Sequence, residues 1–124
     1  FAGPGKGQAE IAQAVAAGIA LNLESALQLD QALAAGDALG IAPRLAIRVN
    51  PSFELKSSGM KMGGGPKAFG VDEEQVPAML DRIESAGLPL TGLHIYSGSQ
   101  NLNAEAVVDA QTKTVDLALR LTER

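Results

Sequence analysis

Short apolar runs alternate along this chain with helical patterns, and that alternation limits the possible folds more than any other feature of the sequence. Strand candidates fall at 19–23, 45–50 and 93–97, with helical stretches at 9–17, 25–35, 72–86 and 104–121 around them. Phe1-Ala2 reads as the tail of a further strand. A helix between successive strands is a crossover connection, which makes the strands parallel and lays helices against the sheet. Local signals agree. Val76, Met79, Leu80 and Ile83 recur at the spacing of one helix face. Ser25 with Gln28, and Asp72 with Gln75, have the spacing of capping boxes. Gly18, Gly36 and Gly87 each follow a helical run, where a left-handed residue closes a helix.

The strand faces say more. Ile19, Leu21 and Leu23 alternate with Ala20, Asn22 and Glu24. Leu45, Ile47 and Val49 alternate with Ala46, Arg48 and Asn50, and Leu93, Ile95 and Ser97 with His94, Tyr96 and Gly98. In each strand one face is aliphatic, and the other turns polar toward the C-terminal end. Crossover helices make a half-wet sheet a poor account of this. A barrel explains it better, with an outer face packed on helices and an inner face that becomes polar at the mouth. The expected fold is α/β, a partial (β/α)8 TIM barrel. A complete one needs roughly 250 residues, so residues 1–124 read as the central part of one barrel domain.

Composition supports a single packed domain, with 46% hydrophobic and 19% charged residues. The net charge of −4 argues against general nucleic-acid binding, which needs a positive field. No cysteine is present, so disulfides and thiolate zinc sites are ruled out. No apolar run is long enough to span a bilayer as a helix.

Some residues point to chemistry. Gly3-Pro4-Gly5-Lys6-Gly7 resembles a phosphate loop but lacks the Ser or Thr after lysine. It reads more simply as a strand-to-helix turn with an exposed lysine. Arg48, on the polar strand face, must meet an anion there. That anion is either Glu24 on a neighbouring strand or a bound carboxylate or cofactor, and pattern alone favours Glu24. His94 is the only histidine, which makes a metal site improbable, and a satisfied core role is the commoner one. Tyr96, one pleat nearer the mouth, either fills the barrel or offers a flat platform to an aromatic ring. Ser97-Gly98-Ser99-Gln100 precedes a helix that can cap at Asn103, and such an entrance suits a phosphate. The long segment 51–70 follows a strand on the active face, which favours a lid over an insertion. Asp30, Asp37, Glu84, Asp109 and Glu123 read as solvated helix faces.

Several segments together resemble the fold-type III pyridoxal-phosphate-dependent decarboxylases, the diaminopimelate and ornithine decarboxylase family. They are Phe1-Ala2-Gly3-Pro4-Gly5-Lys6, Asn22-Leu23-Glu24-Ser25, Arg48-Val49-Asn50-Pro51, Phe69-Gly70-Val71-Asp72 and Gly92-Leu93-His94-Ile95-Tyr96-Ser97-Gly98-Ser99-Gln100. The stretch from Ser58 to Lys67 resembles the branch associated with exosortase and exopolysaccharide loci. The resemblance implies a decarboxylase acting on an amino acid, with pyridoxal 5'-phosphate at the barrel mouth. It implies a cytoplasmic homodimer with a small-molecule substrate and neither nucleic acid nor membrane as partner. It assigns Arg48, His94, Tyr96 and Ser99 to the cofactor pocket, and Lys61 and Lys67 to the substrate loop. Where the family stacks a histidine on the ring, this chain has Tyr96, which can stack but cannot act as a histidine acid or base. The family's cofactor-bearing lysine lies upstream of Phe1 and its β-domain beyond Arg124, so the catalytic residue itself is unassigned and the piece alone is expected to be inactive. A racemase, or a barrel that binds the cofactor without catalysis, is the alternative.

Overall fold

The computed structural model describes residues 1–53, 60–61, 69–96, 98–99 and 103–123. Helices alternate with parallel strands, as the patterning requires. In chain order they are α1 (Gln8–Ala17), β1 (Leu21–Leu23), α2 (Ala26–Leu39), β2 (Leu45–Asn50), β3 (Met60–Lys61), β4 (Val71–Asp72), a 3-10 turn (Glu73–Gln75), α3 (Val76–Ser85), β5 (Leu90–Ile95), β6 (Gly98–Ser99) and α4 (Ala104–Thr122).

β2 is the spine of the sheet. One edge pairs with β1, Leu21 to Leu45 and Leu23 to Ile47. The other pairs with β5, Ile47 to Leu93 and Arg48 to His94. Beyond the end of β1, β4 takes over the first edge, pairing Val49 with Val71. Phe1 continues the parallel order on the far side of β1. Its ammonium donates to Ala20 O at 2.8 Å, and its carbonyl accepts from Asn22 N–H at 3.0 Å. β3 and β6 form a separate antiparallel pair, Met60 with Ser99 and Lys61 with Gly98.

The aliphatic strand face is the buried one. Leu21, Leu23, Leu45 and Ile47 are fully buried against Ile11 and Val15 of α1, Leu29 and Ala32 of α2, and Val76, Met79, Leu80 and Ile83 of α3. Removing one such side chain from water contributes about 1.5–3 kcal/mol, so this layer is the main source of cohesion.

The boundaries differ from the sequence reading in instructive ways. The first strand is only Leu21–Leu23, and the third starts at Leu90. α2 does not stop before Gly36 but runs to Leu39 and closes at Gly40, with φ +67°. Gly36 serves a close approach instead of a cap: a Cβ there would sit 2.8 Å from Ile41 O and from the Pro43 ring. Gly18 does close α1 in the left-handed region, at φ +72°. Neither expected capping box forms completely. Ser25 Oγ accepts from Gln28 N–H at 3.2 Å, but the Gln28 carboxamide turns inward and does not bond back. Asp72 caps nothing and accepts from Asn50 Nδ2 at 2.8 Å. Asn103 caps α4, accepting from Glu105 N–H at 3.0 Å and Ala106 N–H at 3.2 Å.

Candidate functional site

The polar strand face gathers its residues at the C-terminal ends of β1, β2 and β5. In-register residues of parallel strands point to the same side of a sheet. Arg48 and His94 are register partners, and Asn22 pairs with Ala46. The face therefore carries a lower row of Asn22, Ala46 and Gly92 and an upper row of Glu24, Arg48 and His94. Tyr96 follows two residues beyond His94 and is half-buried.

Glu24 is the hub. Its side chain has no exposed surface, and one oxygen lies 3.4 Å from Arg48 Nη1. The same oxygen accepts from Gly70 N–H at 3.1 Å. The other accepts from Gly3 N–H and stands 3.8 Å from Lys6 Nζ. A carboxylate buried this deeply is tolerable only with such partners. Gly70 must be glycine: its φ is +87°, and a Cβ there would lie 3.1 Å from Arg48 O.

Lys6 overturns the expectation of an exposed lysine. Its side chain is 1% exposed. The ammonium donates to Gly3 O and Asn22 O, both at 2.7 Å, and to Gln28 Oε1 at 3.0 Å. Gln28 completes the knot, accepting from Glu24 N–H at 2.9 Å and donating to Gly3 O at 3.1 Å. Burial pushes the Lys6 pKa down, Glu24 opposes this and Arg48 adds to it. Gly3-Pro4-Gly5-Lys6-Gly7 is thus a turn pinned from within. Its lysine faces the Glu24 hub because three acceptors converge there.

Arg48 both pairs with Glu24, as pattern favoured, and keeps a face toward the mouth. Its side chain is 12% exposed, and its guanidinium lies over the Phe69 ring at 5.2 Å from the centroid. One carboxylate between two cations leaves one positive charge in excess, and Arg48 is the exposed end of that cluster. His94 Nδ1 lies 3.3 Å from Asn22 Nδ2. Its pKa is pushed down, first by burial and then by Arg48, with Glu24 opposing.

Of the sequence-assigned residues, the structure sets Arg48 and His94 side by side as register partners, and Tyr96 follows where β5 ends. Ser99 and Lys61 are described only as backbone of the β3–β6 pair, and Lys67 lies outside the described residues. Most of the expected lid, 54–59 and 62–68, also lies outside them. Sequence reasoning missed Lys6, Asn22, Gln28 and Gly70. Asn22 was findable, since it shares the alternating face with Glu24. Lys6 and Gln28 carried no usable signal, because their inward turn depends on the Gly3–Pro4 carbonyls. Among the described residues no cluster of potential metal ligands occurs, and no helix is long and apolar enough to cross a membrane.

An anion with a planar ring fits this mouth. It offers one excess positive charge, a half-buried phenol ring and a histidine with a depressed pKa. The family described as pyridoxal-dependent decarboxylase, pyridoxal binding domain, matches residues 1–123. L-glutamyl-[BtrI acyl-carrier protein] decarboxylase of Niallia circulans is 36% identical over all of this chain and 29% of its own length. Diaminopimelate decarboxylase of Helicobacter pylori is 35% identical, over 98% of this chain and 31% of its own. The crystal structure of the Helicobacter pylori diaminopimelate decarboxylase complexed with L-lysine superposes with a TM-score of 0.77 at 32% identity, covering 94% of this chain and 30% of that one. The chain spans under a third of the length of these relatives.

Proposed function

Because the chain belongs to the pyridoxal-dependent decarboxylase family and matches its pyridoxal-binding domain, we propose that it forms part of an amino-acid decarboxylase whose cofactor lies at the mouth described above. The observation that carries this reading is the charge arithmetic around Glu24, which leaves Arg48 presenting a positive charge beside Tyr96 and His94. Pyridoxal phosphate, when bound, accepts the electron pair left on the substrate as its carboxylate departs as carbon dioxide. This chain's residues supply position and electrostatics. Glu24 holds Arg48 in place, and Arg48 attracts an anionic oxygen. Tyr96 gives a flat apolar surface for the ring. Ser99, three residues beyond Tyr96, meets the phosphate, as the resemblance implies. Lys61 and Lys67 serve the substrate side.

The substrate is an amino acid with a free carboxylate. Two relatives act on diaminopimelate and on a glutamyl group borne by a carrier protein, as their names state. A carrier-borne substrate is also what the resemblance of the stretch from Ser58 to Lys67 to the exosortase-associated branch suggests. The active unit is a homodimer, a reading that rests on the resemblance alone.

The test uses the whole protein with added pyridoxal phosphate. The expected outcome is a visible absorbance band from bound cofactor and carbon dioxide release from diaminopimelate or carrier-borne glutamate. Tyr96→Ala and Arg48→Gln should each weaken cofactor affinity by about tenfold or more, the worth of one lost stacking or charged contact. Unchanged affinity in both variants would remove this mouth as the cofactor site.

A further inference from the structure

Asn22 and His94 come from strands that do not touch, yet their side chains meet. β2 lies between them. Asn22 is paired with Ala46, and His94 sits one pleat higher, opposite Arg48. The contact of 3.3 Å therefore runs diagonally across β2. It is possible because the two positions it passes, Ala46 and Gly92, carry a methyl group and a hydrogen.

We infer that Asn22 is a positioning residue which locks His94 as the neutral tautomer protonated on Nε2, so that the mouth receives an uncharged N–H donor beside Arg48. The Asn22 amide donates its Nδ2–H to His94 Nδ1, so Nδ1 is the acceptor and the ring proton resides on Nε2. The surrounding charges favour the neutral ring. Arg48 of β2 is its direct neighbour, and Glu24 is already occupied by Lys6, Arg48 and two backbone N–H groups. His94 is then neither a general acid nor a base near neutral pH. It serves as a fixed hydrogen-bond donor to an oxygen acceptor of whatever the mouth binds. That last clause rests on the cofactor reading; the tautomer does not.

The experiment is 15N NMR of the full chain labelled at histidine, with the His94 signals assigned as those lost in His94→Gln. Spectra recorded without pyridoxal phosphate test the tautomer, and spectra with it test the ligand. The expected result is an acceptor-type Nδ1 and a protonated Nε2 through the neutral range, both before and after loading. Asn22→Asp is isosteric and replaces the donor by an acceptor, so it should move the proton to Nδ1 and raise the titration midpoint by about one unit or more. Ala46→Val, which fills the diagonal, should give mixed tautomers without adding charge. A protonated Nδ1 in the parent protein, or the parent pattern surviving in Asn22→Asp, would overturn the inference. A normal tautomer with no response of Nε2 to the cofactor would leave the lock standing and count against the cofactor reading instead.

Discussion

The two sides of β2 are built from the same kind of unit and end up differently secured. On the β1 side, Leu21 and Leu23 are fully buried, and a charged knot of Lys6, Glu24 and Arg48 closes the top. On the β5 side, Leu90, Leu93 and Ile95 are only half-buried. α4 buries Ala110 and Leu117 while Val108, Val115 and Leu119 stay 57–61% exposed. The difference follows from neighbours. β1 lies between Phe1 and β2, whereas among the described residues β5 pairs only with β2. A parallel strand acquires its full burial from the unit on each side of it, so among the described residues the β1 side is the more deeply buried.

The sharpest way to break that comparison is Glu24→Ala. It removes the anion between two cations, and stripping one partner from a buried ion cluster costs about 3–5 kcal/mol. Urea unfolding should register the loss in full, and a cost under about 1 kcal/mol would mean the knot is ornamental. Next come two matched truncations on adjacent strands. Ile47→Ala, fully buried on the spine, should cost about 2–5 kcal/mol. Leu93→Ala, its register partner on β5, should cost less than half as much, because part of that side chain already meets water. Equal costs would show that the two sides are equally secured.

Caps give a smaller contrast. Ser25→Ala and Asn103→Ala each remove an N-terminal cap and should cost about 1 kcal/mol. If α4 is the looser element, its loss will appear as local amide exchange more than as global unfolding.

The smallest effect is on pH dependence. The folded pKa of His94 lies below its ordinary 6.5. The unfolded chain then binds more protons in the window between the two values, so stability rises with pH through that window. The protein is fully stabilised above about pH 6.5, and the contribution is lost as pH falls through the depressed value. His94→Gln should flatten the stability profile on that acid side. A profile unchanged by the substitution would mean the ring titrates normally.

How much of this was legible beforehand depends on the kind of interaction. Strand β2 was read to its correct ends, because aliphatic and polar residues alternate through it without interruption. β1 and β5 were displaced by a few residues, since pairing partners and not composition decide where a short strand starts. Gly36 was misread because a glycine needed for close packing and one needed for a left-handed cap are the same letter. Arg48 and Glu24 could be paired from their shared face, whereas Lys6 could not, because its partners are backbone carbonyls that exist only once the turn is folded.

The order of residues by itself determined the layered α/β class, the direction of the strands and which strand face is dry, since periodicity and crossover length are local properties of the chain. Only the tertiary structure decided that Lys6 points inward, that Gly70 reaches Glu24 and that Asn22 meets His94 across β2. These contacts join residues 22 to 72 positions apart. Their geometry depends on strand register, and register is fixed by the packing of the whole sheet.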